Sequence, residues 1–257
     1  MTKLSVNLNK IALIRNSREG QNPNLLPFAT AAINAGAAGI TLHPRPDQRH
    51  IRPSDLTAIE DLLKNLRQNI ELNIEGNPFA ESNDSGYPGF DALVEKSSPD
   101  QVTLVPDNES QLTSDRGWEL KKEHNLLAKT IEKYNSLKIR VSLFLDPDLT
   151  QIRLAKELGA NRIELYTGPF AEVFQQSGAN HQSTLDLFKK YCDAAAFAGE
   201  LGLGVNAGHD LNLHNLKIFS SLPNLAEVSI GHAIVVDALH MGFTQTIKEY
   251  LIALQPT

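Results

Sequence analysis

Histidine and glutamate side chains stand at the ends of several short apolar runs in this sequence. Four of the eight histidines have this position, which is more than composition alone requires. Histidine exchanges protons near neutral pH, and a partly desolvated glutamate can have its pKa raised so that it serves as a general base. The pattern predicts acid–base chemistry with several proton-transfer groups, namely His43, His50, Glu75, His209 and His232.

Groups that bind anions occur at the same kind of position. Arginine side chains and free backbone N–H groups bind phosphate. Gly231 stands between an apolar run and a helical segment, where barrel enzymes often bind phosphate on backbone amides. Lys10 is the only lysine near such a run, so it is a candidate for a Schiff base. The other polar residues at these ends are Asn7, Asn9, Arg15, Arg18, Arg45, Arg49, Asp107, Thr113, Tyr166, Thr167 and Asp210.

Each of these residues also has a plain structural interpretation. His43 could be a histidine satisfied at the rim of the fold, and Glu75 could pair with a cation on a neighbouring strand. The arginines of HPRPDQRH (43–50) could belong to a solvated loop. Their shared placement favours a site, because the position of each residue is predicted independently. The remaining histidines are expected to be structural or exposed, and they are His124, His181, His214 and His240.

Motifs for nucleotide or zinc binding are absent from the sequence. It contains no GxGxxG motif, no Walker loop and no HExxH. His43 and His50 are seven residues apart across a loop with prolines, which is poor spacing for metal ligands. We therefore predict neither a metal site nor a nucleotide cofactor.

The elements that must position these residues follow from the apolar pattern. Several runs are apolar on successive residues, as in a parallel sheet that is covered on both faces. They alternate with amphipathic stretches, and Gly36 and Gly159 stand where helices would end. The predicted strands are Leu4–Leu8, Gly39–His43, Glu71–Glu75, Gln101–Val105, Ile139–Leu145, Arg162–Tyr166, Gly204–Asn206 and Glu227–Ile230. The predicted helices are Leu25–Ala35, Pro53–Asn69, Phe90–Lys96, Trp118–Asn135, Asp148–Leu158, Ser183–Leu201, His214–Ser220 and Val235–Leu254.

Eight strands that alternate with helices predict an α/β fold, a single (β/α)8 TIM barrel with extra helical segments over residues 1–257. In such a barrel the active site lies at the carboxyl ends of the strands. A doubly wound open sheet is the alternative, because short apolar runs are ambiguous. Residues 76–89, rich in glycine and proline, form a predicted loop after the third strand.

Composition limits the classes of protein to which the chain can belong. It has 257 residues and a net charge of −6, which disfavours a general nucleic-acid binder but allows a local basic pocket. There is no run of about 18 apolar residues and no apolar core of a signal peptide near the N-terminus. The single Cys192 excludes an internal disulfide. We expect a soluble cytoplasmic protein that binds neither nucleic acid nor membrane.

In the order and spacing of its motifs, the sequence resembles the pyridoxine 5′-phosphate synthases, the ring-closing enzymes of a vitamin B6 pathway. The resemblance extends over nearly the whole chain, and it implies a (β/α)8 barrel that assembles as a homo-octamer. It also implies condensation of 1-deoxy-D-xylulose 5-phosphate with 3-amino-2-oxopropyl phosphate, with release of phosphate and water and without an organic cofactor or metal. The matching blocks are GITLHPRPDQRHI (39–51), LVPD (104–107), VSLFLD (141–146), IELYTG (163–168), VNAGHDLNLHN (205–215) and IGHAI (230–234).

The resemblance implies a role for each matching residue. The general bases would be His43 and Glu75, and the proton donor would be His209. The residues around the ketose phosphate would be Asn9, Lys10, Arg45, His50 and Thr113. The residues around the amino ketone phosphate would be Asn7, Arg18, Asp210, Gly231 and His232, with mainly backbone amide contacts from the last three.

The sequence departs from the family pattern at several places. Asn9-Lys10 stands where many members have Asp-His, and a lysine cannot be a neutral base unless its pKa is strongly lowered. Asp210 stands where many members have glycine. Because a carboxylate repels phosphate, we expect the Asp210 side chain to point away and to cap the next helix turn. VVDAL (235–239) replaces a Gly-Arg pair, and the loop after the third strand is longer than usual.

Two other functions remain open at this stage. One is a phosphate-binding barrel with aldolase or isomerase chemistry, which would need a different set of acid–base groups. The other is a non-catalytic barrel that binds a phosphorylated metabolite or serves as an assembly subunit. That function would be favoured if Lys10 and Asp210 spoil the site.

Overall fold

The computed structural model describes residues 2–66, 69–108, 110–120 and 124–255. Each strand pairs in parallel with the next, and the last pairs with the first, so that the sheet is a closed barrel. This confirms the predicted (β/α)8 barrel and excludes the open sheet. The strands are β1 (Lys3–Asn7), β2 (Gly39–Leu42), β3 (Glu71–Gly76), β4 (Gln101–Leu104), β5 (Arg140–Leu145), β6 (Arg162–Tyr166), β7 (Gly204–Gly208) and β8 (Leu225–Ile230).

Helices surround the barrel, and the connections that follow β1, β6 and β8 each contain two. The predicted extra helical segments are therefore present. None of the helices in the described ranges is long and apolar enough to cross a membrane. The helices are α1 (Asn9–Asn16), α2 (Leu25–Ala35), α3 (Pro53–Asn65), α4 (Phe90–Ser97), α5 (His124–Ser136), α6 (Leu149–Glu157), α7 (Gly168–Ser177), α8 (Gln182–Glu200), α9 (Leu216–Phe219), α10 (His232–Met241) and α11 (Phe243–Ala253).

The helix predictions need three corrections. Helices α1 and α7 were not predicted, and the single predicted helix over Val235–Leu254 is two helices. Gly242 separates them with a φ of 76°, a left-handed conformation that suits glycine and ends a helix. The parts of two predicted helices at 67–68 and 121–123 lie outside the described residues.

Short polar residues fix where several helices begin. The Asn24 side chain accepts a hydrogen bond from the backbone N–H of Leu26, and the Asp148 carboxylate accepts from Thr150 and Gln151. Each cap satisfies N–H groups that have no partner within the helix. Gly36 ends α2 in the left-handed conformation, as predicted. These caps hold the connections in fixed positions relative to the strand ends.

The two faces of the sheet differ in polarity. Apolar strand residues such as Val6, Ile40 and Ile74 are fully buried in the main hydrophobic cluster together with apolar helix residues. The alternate residues of the strands point into the barrel and are largely polar, for example Ser5 and Thr41, whose hydroxyl groups are 2.7 Å apart. A barrel interior is more often filled by branched apolar side chains. Here the apolar core lies between sheet and helices.

Ion pairs close the amino-terminal end of the barrel interior. The Arg140 guanidinium bonds to the Glu71 carboxylate, and Lys3 pairs with the same carboxylate. Arg162 pairs with Glu227 at 3.2 Å. Because the cations and carboxylates satisfy one another, this end of the interior is a closed polar network.

Candidate active site

A histidine–glutamate pair lies at the carboxyl ends of β2 and β3. The register of these two strands, with Leu42 opposite Ile74, brings the next residues His43 and Glu75 side by side. The His43 Nδ1 atom is 3.3 Å from the Glu75 Oε1 atom. The Asn9 side chain accepts a hydrogen bond of 2.9 Å from the backbone N–H of His43. Asn9 thus holds the histidine at the rim.

The pKa of Glu75 moves in the opposite direction from the predicted one. Burial raises the pKa of this carboxyl, but the positive charges of His43, Arg45 and His209 outweigh burial and hold the pKa below its usual range. Glu75 is therefore ionised at neutral pH. The expectation of an upward shift was wrong because it left out His43, Arg45 and His209, which all lower this pKa.

A second carboxyl group, which sequence reasoning missed, lies in the same cavity. Glu164 of β6 is buried, and its pKa is raised well above the usual value by burial and then by the charges of Glu75 and Glu227. Two carboxyl groups with pKa values moved apart are suited to act as base and acid. The alternation of Glu164 and Tyr166 with Ile163 and Leu165 was the available clue, since alternate strand residues point inward.

His209 follows β7 and is bonded through both ring nitrogens. Its Nδ1 atom is 2.9 Å from the Asp210 Oδ2 atom, and its Nε2 atom is 2.8 Å from the Thr113 hydroxyl oxygen. The Tyr166 ring packs edge-on against the imidazole at 5.2 Å. The expectation that the Asp210 carboxylate points away and caps a helix was wrong. It bonds to the imidazole and borders the cavity.

Arg45 holds the loop that follows β4. Its guanidinium donates to the Asp107 carboxylate and, at 2.9 Å, to the backbone oxygen of Gln111. The Ser114 hydroxyl donates to the same Asp107 oxygen at 2.8 Å. The other Asp107 oxygen is buried and has no hydrogen-bond partner within the described residues. Arg45 thus reaches the predicted site, with part of its guanidinium engaged by the loop.

His50 is buried beside the pair described above. Burial, followed by the positive charges of His43, Arg45 and other neighbours, lowers the pKa of His50 to about 2. Its Nδ1 atom accepts a hydrogen bond of 2.9 Å from the backbone N–H of Ile51, which requires that nitrogen to be unprotonated. His50 is therefore neutral and presents an Nε2–H group.

Arg15, the other arginine near β1, is not part of the cavity. Its guanidinium forms a bidentate pair with the Asp55 carboxylate, with hydrogen bonds of 2.6 and 2.9 Å, and donates a further hydrogen bond to the backbone oxygen of His50. Its contribution is to hold the loop after β2 in place.

The strand ends enclose a cavity of about 320 Å³. Of the residues to which the family resemblance gives a role, Arg18 does not border this cavity, because it lies exposed in the segment after α1. Gly231 lies directly before the first residue of α10. A Cβ atom on Gly231 would lie 3.0 Å from the Asn7 side chain. The predicted residues that border the cavity are Asn7, Asn9, Lys10, His43, Arg45, His50, Glu75, Thr113, His209, Asp210, Gly231 and His232.

The lining of this cavity is rich in cations and hydrogen-bond donors. Lys10, Arg45 and Arg49 border it, which suits an anionic ligand such as a phosphate ester. Across the described parts of the chain, no group of three or more His, Cys, Asp or Glu side chains is arranged to hold a metal ion.

Comparison with known proteins identifies the family. The model of the family described as Pyridoxal phosphate biosynthesis protein PdxJ matches residues 4–256. The chain belongs to the PdxJ family. The relative in Xanthomonas campestris pv. campestris, named pyridoxine 5′-phosphate synthase, is 50% identical over 251 residues, which are 97% of this chain and 95% of the relative. The relative of the same name in Porphyromonas gingivalis is 46% identical and covers 97% of this chain and 98% of its own length.

Solved structures extend the likeness of fold beyond the PdxJ family. The 3-hexulose-6-phosphate synthase of Salmonella typhimurium superposes with a TM-score of 0.62 at 16% identity, over 99% of this chain and 100% of that chain. At this identity the likeness concerns the barrel alone. The sequence resemblance described above is thereby confirmed at the level of the PdxJ family and its fold.

Proposed function

We propose that this chain catalyses the reaction for which its PdxJ relatives are named. It condenses 1-deoxy-D-xylulose 5-phosphate with 3-amino-2-oxopropyl phosphate to pyridoxine 5′-phosphate, and it releases phosphate and water. The observation that carries this proposal is the His43–Glu75 pair, which borders the same cavity as His209. Bases and a proton donor therefore have access to one substrate complex.

The proposed chemistry requires several proton transfers at different atoms. An amine adds to a ketone, water leaves, and carbons next to carbonyl or imine groups lose protons before the ring closes. Ionised Glu75, bonded to His43, is suited to take a proton from carbon, and His209 is suited to give one to a leaving oxygen. Each such group contributes roughly 10²–10⁴-fold to the rate.

Two phosphate groups require two anion sites. We assign the ketose phosphate to the side of the cavity that contains Lys10, Arg45 and the neutral His50, whose Nε2–H can donate to a substrate oxygen. Asn9 and Thr113 complete that side. We assign the amino ketone phosphate to the N-terminus of α10, where backbone N–H groups and the helix dipole favour an anion. The residues there are Asn7, Asp210, Gly231 and His232, with the last three contacting the phosphate through backbone N–H groups, since the Asp210 carboxylate is bonded to His209. The exposed Arg18 would have to move to reach them.

Loop contacts support exclusion of water from reactive imines. The loop after β4 is anchored by Arg45 and by Arg49, which donates to the Gln111 backbone oxygen at 2.9 Å. Thr113 of this loop reaches His209 on the far side of the mouth. A covered cavity strengthens electrostatic interactions and protects intermediates from hydrolysis.

The remaining properties in this proposal rest on family resemblance and sequence. They are a single domain over residues 1–257, a homo-octameric assembly, a cytoplasmic location, and catalysis without metal or organic cofactor.

The direct test mixes the purified protein with both phosphorylated substrates. Free phosphate and the ultraviolet band of the pyridine ring are followed together, and equal amounts of both are expected. A known family enzyme serves as the positive control. If the folded protein binds the ketose phosphate but releases no phosphate and forms no ring, the proposal is wrong and a non-catalytic binding barrel takes its place.

A further inference from the structure

We propose that Asp210 is a positioning residue that keeps His209 in its proton-donating form. This inference rests on the proposed function, in which His209 gives a proton to the substrate. Asp210 acts through the imidazole, and its carboxylate takes no proton from the substrate.

The hydrogen bonds of His209 define which nitrogen faces the reaction. The Asp210 Oδ2 atom is 2.9 Å from Nδ1, and the Thr113 hydroxyl oxygen is 2.8 Å from Nε2. The hydrogen bond to His209 lowers the pKa of Asp210, burial raises it, and the charge of His209 lowers it further, so that the pKa lies below its usual value. The Asp210 carboxylate is therefore ionised and can only accept hydrogen bonds. Nδ1 therefore bears a hydrogen in every state of the ring. Nε2 is the nitrogen that gains and gives the exchangeable proton.

The backbone holds the two residues in this arrangement. His209 and Asp210 have φ angles of 81° and 57°, both in the left-handed region that few residues adopt. The single Thr167 hydroxyl hydrogen is shared between the backbone oxygens of Gly208, at 2.8 Å, and His209. The Asn215 amide donates to the backbone oxygen of Asp210 at 3.1 Å. An unfavourable backbone held by several bonds is typical of a functional site.

The other charged and titratable groups around His209 do not replace Asp210. Glu75 contributes a negative charge, but its own hydrogen-bond partner is His43. Tyr166 contacts the edge of the ring and carries no charge at neutral pH. Lys10 and His232 lie close enough to influence Asp210, and the Lys10 ammonium opposes a charged imidazole. Asp210 is the carboxylate that bonds directly to the ring.

The test compares the wild type with Asp210→Asn, Asp210→Gly and the matched control Asp193→Asn, an exposed carboxylate on α8. Asparagine and glycine both tolerate a positive φ and keep the backbone N–H, so the turn and any amide contact with phosphate are retained. The titration of His209 is measured by NMR on ¹⁵N-histidine-labelled protein, with His209→Asn used to assign the resonance. The pH profile of kcat is measured in parallel.

Loss of the carboxylate charge is expected to lower the pKa of His209 by about one pH unit. Because a proton donor works below its pKa, the alkaline limb of the kcat profile moves to lower pH by the same amount. Asp210→Gly is also expected to shift the neutral ring toward the Nε2–H tautomer, and Asp193→Asn is expected to change neither measurement.

Two results would overturn the proposal. One is an unchanged His209 titration in Asp210→Asn, and the other is a shifted titration with an unmoved kcat profile. Failure of the proposed function is distinguishable from both. In that case the wild type forms no product, while the NMR titration still reports whether Asp210 holds the proton on His209.

Discussion

Two glutamates of β3 occupy opposite ends of the barrel interior. Glu71 begins the strand and Glu75 stands one residue before its end, on the same face. Glu71 is bonded to Arg140 and Lys3. Glu75 is bonded to His43 and borders the cavity. The residue type and the strand are the same, and the partners differ.

The difference shows what turns a buried carboxylate into a reactive one. At the amino-terminal end, the permanently charged Lys3 and Arg140 side chains each donate a hydrogen bond to one of the two carboxylate oxygens of Glu71. At the carboxyl-terminal end, the partner is an imidazole, which can itself gain or lose a proton near neutral pH. Reactivity therefore follows from a titratable partner and an open cavity. Only three residues of β3 separate the reactive glutamate from the unreactive one.

The largest expected effect comes from removing the charge at the reactive end. Glu75→Gln should lower kcat by about 10³-fold or more, because the amide cannot accept a proton from carbon. Binding of the ketose phosphate should stay nearly unchanged. The matched control is Glu71→Gln, the same substitution at the other end of β3, which should leave kcat unchanged. Comparable losses in both variants would show that the two ends do not differ as described.

Arg45→Ala is expected to have the next largest effect. It removes a guanidinium from the ketose phosphate site and also leaves the buried Asp107 carboxylate without its cation. We expect KM for the ketose phosphate to rise about 10–100-fold, which corresponds to the loss of a charged hydrogen bond. Steady-state kinetics measures this value. An unchanged KM would exclude a phosphate contact and leave Arg45 as an anchor of the loop only.

His50 should make stability depend on pH. Its folded pKa of about 2 lies below the unfolded value of 6.5, so the unfolded chain binds the proton first as the pH falls. The free energy of unfolding should therefore decrease below pH 6.5, with a slope of up to about 1.4 kcal/mol per pH unit from this residue. Urea unfolding at several pH values measures the slope.

The control for this slope is a histidine outside the barrel mouth. His50→Asn should make the slope smaller, whereas His214→Asn should not, because His214 is exposed to solvent. Equal slopes in the wild type and in His50→Asn would contradict the assignment of a neutral buried imidazole.

The smallest effect is expected from Glu71→Gln on stability. Burial raises the pKa of the Glu71 carboxyl, but hydrogen bonds from Lys3 and Arg140 outweigh the effect of burial, and the net pKa is lowered. The ionised form of Glu71 therefore stabilises the fold. Because Lys3 is partly exposed, we expect a loss of only about 1 kcal/mol. The loss should be present at neutral pH and should shrink as the pH falls through the folded pKa of Glu71. Thermal unfolding at pH 7 and at pH 4 measures the difference.

The sequence predicted the barrel because its strands are apolar runs with clear limits. All eight strands agree with the structure within two residues at each end. Helix α1 was missed because it begins directly after β1, with no glycine, proline or capping side chain to mark its start. The break at Gly242 was missed because the apolar pattern continues across it, and only the left-handed backbone ends the helix.

The site was predictable where it depends on strand ends and unpredictable where it depends on loops. His43, Glu75 and His209 come together because parallel strands end at one face. The bonds of Arg45 to Asp107 and of Asp210 to His209 depend on loop conformations that have no periodic pattern. The direction of the Glu75 pKa shift depends on neighbours that meet only after the chain has folded.

Closure of the barrel between its first and last strands has a consequence for synthesis on the ribosome. Val6 pairs with Ile230, so β1 has only one neighbouring strand until β8, more than 200 residues later, has emerged. Contacts between such distant segments form late and slowly. Asn7 and Gly231 meet at this seam, and the phosphate site assigned to the end of β8 includes both. A nascent chain in which β8 has not yet been made therefore lacks the strand that closes the barrel and one side of the proposed phosphate site.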